Sequence, residues 1–61
     1  MTSKSVKKLR RELGLTQAAL AKRVGVHTLT VSCWEWGRQR VSKPVAQLLE
    51  RLVAEHRERS R

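Results

Sequence analysis

The side chains in this sequence that could do chemistry are suited to holding another molecule rather than transforming one. Thr28, Leu29, Ser32 and Cys33 fall within one short stretch, and Trp36, Arg38, Arg40 and Lys43 follow it. The hydroxyls of Thr28 and Ser32 can each donate or accept a hydrogen bond. Leu29 offers an apolar surface, and the cations after it can neutralise phosphate. Paired carboxylates, a glycine-rich phosphate loop and a nucleophile beside a base are all missing, so neither a catalytic centre nor a cofactor is expected. Cys33, His27 and His56 are too few and too scattered in sequence for a zinc-ligand cluster, so no metal is expected. A lone cysteine cannot form an internal disulfide, which suits a reducing, cytoplasmic setting.

These residues need helices to position them. Val31 and Trp34, three apart, share one face of a helix running from His27 to Trp36 and stopped by Gly37. Leu29, Cys33 and Trp36 then form an outward stripe, with Thr28 and Ser32 beside it. Upstream, Thr16 is a good cap for a helix that opens at Gln17, and Gly25 sits at the bend between the two helices. Leu20, Ala21, Val24, Val26, Val31 and Trp34 are the residues suited to burial. Small and branched side chains at these positions let the two helices cross steeply and leave the outer face of the second one free. That is a helix-turn-helix, and the free face fits a DNA major groove. Gln17 lies in a first helical turn, where unsatisfied N–H groups and the positive end of the helix dipole suit a phosphate.

The flanking elements supply the rest of a core. Val6, Leu9 and Leu13 give residues 5–13 one apolar helical face, with Ser3 or Ser5 as cap and Gly14 as stop. Leu15 can fold back on that helix, and Lys4, Lys7, Lys8, Arg10 and Arg11 cover its outside, for the most part as a solvated face, with one or two near the N-terminal end able to touch phosphate. Glu35, an acid among basic residues, is expected to pair with a local Arg or cap the turn rather than touch DNA. After the basic loop RQRVSKP, Ser42 and Pro44 suit the start of a last helix, whose Val45, Leu48, Leu49, Leu52 and Val53 close the core or, in part, form a dimer contact. Beyond Ala54 the segment EHRERSR has no apolar face and is expected to fray. Residues 1–61 thus read as one domain with an ordered core over about 4–55. The charged N-terminus lacks the apolar stretch of a secretory signal, and no apolar run approaches the ~18 residues that a membrane span needs. Fourteen Lys and Arg against five acids give a net charge of +9, an electrostatic reason to seek a polyanion.

The order of these features resembles the Cro and phage-repressor family, the XRE-type helix-turn-helix regulators. The likeness covers roughly residues 5–53 and is strongest in TQAALAKRVGV and WEWGR. Thr16 and Gln17 open the second helix, Ala21 packs at the crossing and Gly25 makes the turn. Trp34 and Glu35 then precede the helix-ending Gly37. The resemblance implies an all-α, compact four- to five-helix bundle with a lambda-repressor-like DNA-binding fold. It also implies sequence-specific binding of double-stranded DNA, often as a homodimer on a palindromic site. By position, Thr28, Leu29, Ser32 and Cys33 match the base-facing surface, and Gln17, Trp36, Arg38 and Arg40 match positions that meet the sugar-phosphate backbone. His27 and Lys43 join the expected phosphate-facing set. The chain departs from the family at His27, where Ser, Thr or Asp is the usual cap, and at Trp36, where Asn, Gln, Arg or Lys is usual. The family's last helix, often a dimerisation element, is short or missing.

The outward stripe contains no Arg, Lys, Asn or Gln, the usual bidentate readers of guanine and adenine. The expected readout is weighted toward thymine methyls, groove shape and close packing, on an A·T-rich or T-containing site. The expected function is a small transcriptional repressor or autoregulator, of bacterial or phage origin, that occupies an operator. Two alternatives carry the same motif. One is an antitoxin-like protein whose second surface holds a protein partner, which co-purification of that partner would reveal. The other is an engineered DNA-binding module on this scaffold.

Overall fold

Local capping sets where each helix starts. The computed structural model describes residues 1–60. It contains α1 (Ser3–Glu12), α2 (Gln17–Val24), α3 (Thr28–Trp36) and α4 (Lys43–Arg59), with no strand among the described residues. The helices of an all-α bundle are therefore in place. Thr16 caps α2 as its sequence suggests, its Oγ1 accepting from the Ala19 N–H at 3.1 Å. For α1 the cap is Thr2 rather than Ser3 or Ser5. Thr2 Oγ1 accepts from the Ser5 N–H at 3.2 Å, and both serines already lie inside the helix. Ser42 precedes α4 without a side-chain cap bond, and Pro44, which has no N–H to satisfy, fills the first turn.

The core draws two residues from each helix: Val6 and Leu9, Leu20 and Ala21, Val31 and Trp34, Leu49 and Val53. Val24, Val26, Leu13, Leu15, Val41, Val45 and Leu52 pack around it, partly buried. The main packing joins α3 to both α2 and α1, and α4 to both α1 and α2. Helix α3 is thus held from its inner side by two others.

Two further features depart from the sequence reading. Arg10 is not on the solvated outside of α1. Its Nε and Nη2 donate to the two Glu35 oxygens at 2.7 and 3.1 Å, and its Nη1 donates to the Leu15 carbonyl at 2.9 Å. The guanidinium thereby ties α1, the turn after it and α3 together. The second departure is at the C-terminal end, where the helix does not stop with the apolar positions near Ala54 but runs on to Arg59. There a bidentate ion pair replaces burial: Arg57 Nε and Nη2 donate to Glu12 at 2.7 and 3.1 Å, across to the end of α1. The Arg57 hydrogen bonds hold the Glu12 carboxyl below its usual range, although a pair this exposed contributes little stability.

Candidate nucleic-acid interface

The unit that could face a nucleic acid is built from α2, its turn and α3. Gly25 makes the turn at φ +85°, a left-handed conformation that side chains other than glycine rarely adopt. The Val26 N–H can then reach back to the Ala21 carbonyl at 2.9 Å. Next, His27 Nδ1 accepts from the Leu29 N–H at 3.2 Å, so a ring nitrogen does the work that a hydroxyl or carboxylate does in a more usual cap.

Helix α3 divides its residues between two environments. Val31 is fully buried and Trp34 is 3% exposed, while Leu29 and Trp36 are 60% and 63% exposed. Thr28 is exposed, and Ser32 and Cys33 are half-buried at the edge of the outer face. The structure brings several of the expected site residues together. Ser32 Oγ donates to Gln17 Oε1 at 2.7 Å, linking the outer edge of α3 to the first residue of α2. The Arg38 guanidinium lies 5.2 Å from the centre of the Trp36 ring, close enough for a cation–π contact. Arg40 is exposed in the following loop, and Lys43 is exposed as the first residue of α4. Among the described residues, no side-chain hydrogen bond or ion pair engages either cation.

Arg10 and Glu35 are the contributors that sequence reasoning missed as a pair, being 25 residues apart. The expectation that Glu35, an acid in an otherwise uncharged helix of a basic chain, pairs with a local Arg or caps the turn is met by an arginine, but by the distant Arg10. The Glu35 carboxyl is held below the usual range, first by the Arg10 hydrogen bonds, against the opposing effect of burial, and with further help from the Gln17 side chain.

A helix-turn-helix family model matches residues 6–54, a span that opens at core residue Val6 and closes just past core residue Val53. The chain belongs to the helix-turn-helix family. Its type is that of the Cro and phage-repressor proteins, DNA-binding regulators of the XRE group. No curated protein and no solved structure matches the chain. For this helix-turn-helix protein, the four helices, the Gly25 turn and the inward Trp34 fit the family assignment. Among the described residues, no helix is long and apolar enough to cross a membrane, and no cluster of His, Cys, Asp or Glu could hold a metal ion.

Proposed function

We propose that this helix-turn-helix protein is a sequence-specific repressor or autoregulator that inserts α3 into the major groove of its operator. The observation that carries the proposal is the division of α3: Val31 and Trp34 anchor it from within, while Leu29 and Trp36 stay largely exposed on the other side. An apolar side chain left in water on a helix otherwise well packed calls for a partner surface, and a thymine methyl is one that Leu29 fits. In this reading Thr28, Leu29, Ser32 and Cys33 meet base edges. Gln17, His27, Trp36, Arg38, Arg40 and Lys43 meet the sugar-phosphate backbone. Occupancy of the operator excludes polymerase, and a homodimer would show as two half-sites in the bound sequence.

The test is selection of bound sites from a random duplex library, followed by titrations on the selected site and on a scrambled duplex at equal salt. Leu29→Ala is expected to weaken the selected site by about 1–3 kcal/mol and leave the scrambled one nearly unchanged, because nonspecific affinity comes from the cations. Equal losses on both duplexes, or none on either, for alanine changes at all four base-facing positions would remove α3 as the reader and favour a protein-binding surface.

The cations have a separate signature. Arg38→Ala and Arg40→Ala should each weaken all sequences alike and flatten the slope of log K against log salt by about 0.9. A variant that kept both affinity and slope would place that arginine off the backbone.

A further inference from the structure

Resting on the DNA-reading proposal above, we infer that Ser32 is an acceptor-only reader, selective for the exocyclic amino group of adenine or cytosine. A serine hydroxyl has one proton. At 2.7 Å from Gln17 Oε1, that proton is committed to the amide carbonyl, and only lone pairs remain to face a base.

The orientation of the Gln17 amide decides the matter, since a flipped amide would donate to Ser32 and free its proton. The Ser32 contact gives the orientation, with Gln17 Oε1 on the Ser32 side, and the Glu35 carboxylate favours it. Arg10 grips both carboxylate oxygens, and the Glu35 side chain is 4% exposed. A charged carboxylate can only accept. The Gln17 side chain helps to hold the Glu35 carboxyl below its usual range, an effect that an amide has through its N–H side and not through its oxygen. The carbonyl side is then left for Ser32. A flipped amide would set two oxygens against each other beside a mostly buried charge. Hydrogen-bond polarity therefore runs in one direction: Arg10 donates to Glu35, and Ser32 donates to the Gln17 carbonyl oxygen. The choice made at the surface of α3 has its root in α1. In the major groove, adenine N6 and cytosine N4 are donors, whereas guanine O6 and N7, adenine N7 and thymine O4 are acceptors. Ser32 pairs with the first group, and Gln17, Glu35 and Arg10 are positioning residues that act through it.

The experiment begins with the base pair whose preference Ser32→Ala relaxes on the selected site. In that duplex the amino group is deleted, by unsubstituted purine for adenine or 2-pyrimidinone for cytosine, or N7 is deleted by the 7-deazapurine. Amino deletion should weaken the parent protein by about fivefold, the scale of one neutral hydrogen bond, and should cost Ser32→Ala nothing further. The 7-deazapurine should cost the two proteins equally. Gln17→Met gives the second reading. Freed from Gln17, the hydroxyl can also donate, so the penalty for inverting that base pair should shrink. A merely structural role for Gln17 would weaken the matched and inverted sites equally, and that result would overturn its part in the inference. An amino-deletion penalty shared by parent and Ser32→Ala, or a 7-deaza penalty that depends on Ser32, would overturn the assigned polarity while leaving the DNA reading intact. Enrichment of no motif at all would overturn both.

Discussion

Trp34→Ala is expected to be largely unfolded near room temperature. Trp34 is 3% exposed and packs in the one core that all four helices share. Truncating a buried tryptophan costs about 3–5 kcal/mol, through lost transfer energy and the cavity left behind. A core in a chain this small rarely supplies more than ~3–5 kcal/mol in total, so the two are of similar size. Circular dichroism and a thermal melt read the result directly. Trp34→Phe separates loss of volume from loss of the indole. The Trp34 Nε1 is buried without a hydrogen-bond partner, so removing it forfeits no bond, and the phenyl ring retains much of the packing. That variant should still melt cooperatively. An alanine variant that melted like the parent would show that the core does not depend on this ring.

Glu35→Ala should carry the next largest effect. It leaves the Arg10 guanidinium without its bidentate partner in a site where the two side chains are only 16% and 4% exposed. Breaking a fully buried pair costs about 3–5 kcal/mol. Because Arg10 keeps some access to water, about 2–3 kcal/mol is expected here. Replacing both partners by apolar residues, Arg10→Met with Glu35→Leu, should recover most of that loss, since no charge is then stranded. A single variant as stable as the parent in denaturant titration would show that the pair is dispensable. The same pair sets an acid limb. The Glu35 carboxyl is lowered from its ordinary value of 4.5, chiefly by the Arg10 hydrogen bonds. The unfolded chain therefore takes up this proton before the folded one does. The stabilisation is fully present above the ordinary carboxylate range and is lost as the pH falls through the lowered value. Denaturant midpoints should drop on acidification below about pH 4.5 in the parent and drop less steeply in Glu35→Ala.

Much of the fold was legible because it is written in local rules. Thr16, Gly25, Gly37 and Pro44 act through their own backbone, and the spacing of Val31 to Trp34 or Leu49 to Val53 is a property of one helix. What could not be read depends on distance in sequence. Arg10 looks like any solvated cation until α3 brings Glu35 against it, and Arg57 looks like part of a loose tail until α1 presents Glu12. The cap of α1 was misplaced for a smaller reason: three hydroxyl residues, Thr2, Ser3 and Ser5, compete within one turn, and the choice depends on where the apolar face of Val6 and Leu9 begins. The candidate site shows the same split. Its membership follows from the helical period, but the Ser32–Gln17 bond joins two elements across the turn, and the period of neither one announces it.

The two tryptophans occupy opposite sides of a single helix, in a chain with no tyrosine or phenylalanine. All of its intrinsic fluorescence therefore originates in α3. Trp34 emits from an apolar interior beyond the reach of iodide, and Trp36 emits from water, open to the quencher. Denaturation moves the first emitter into water and leaves the second nearly where it was. A molecule that covers the outer face shields the second without touching the first. Folding and occupancy thus register as two separable optical signals, from one unlabelled sample.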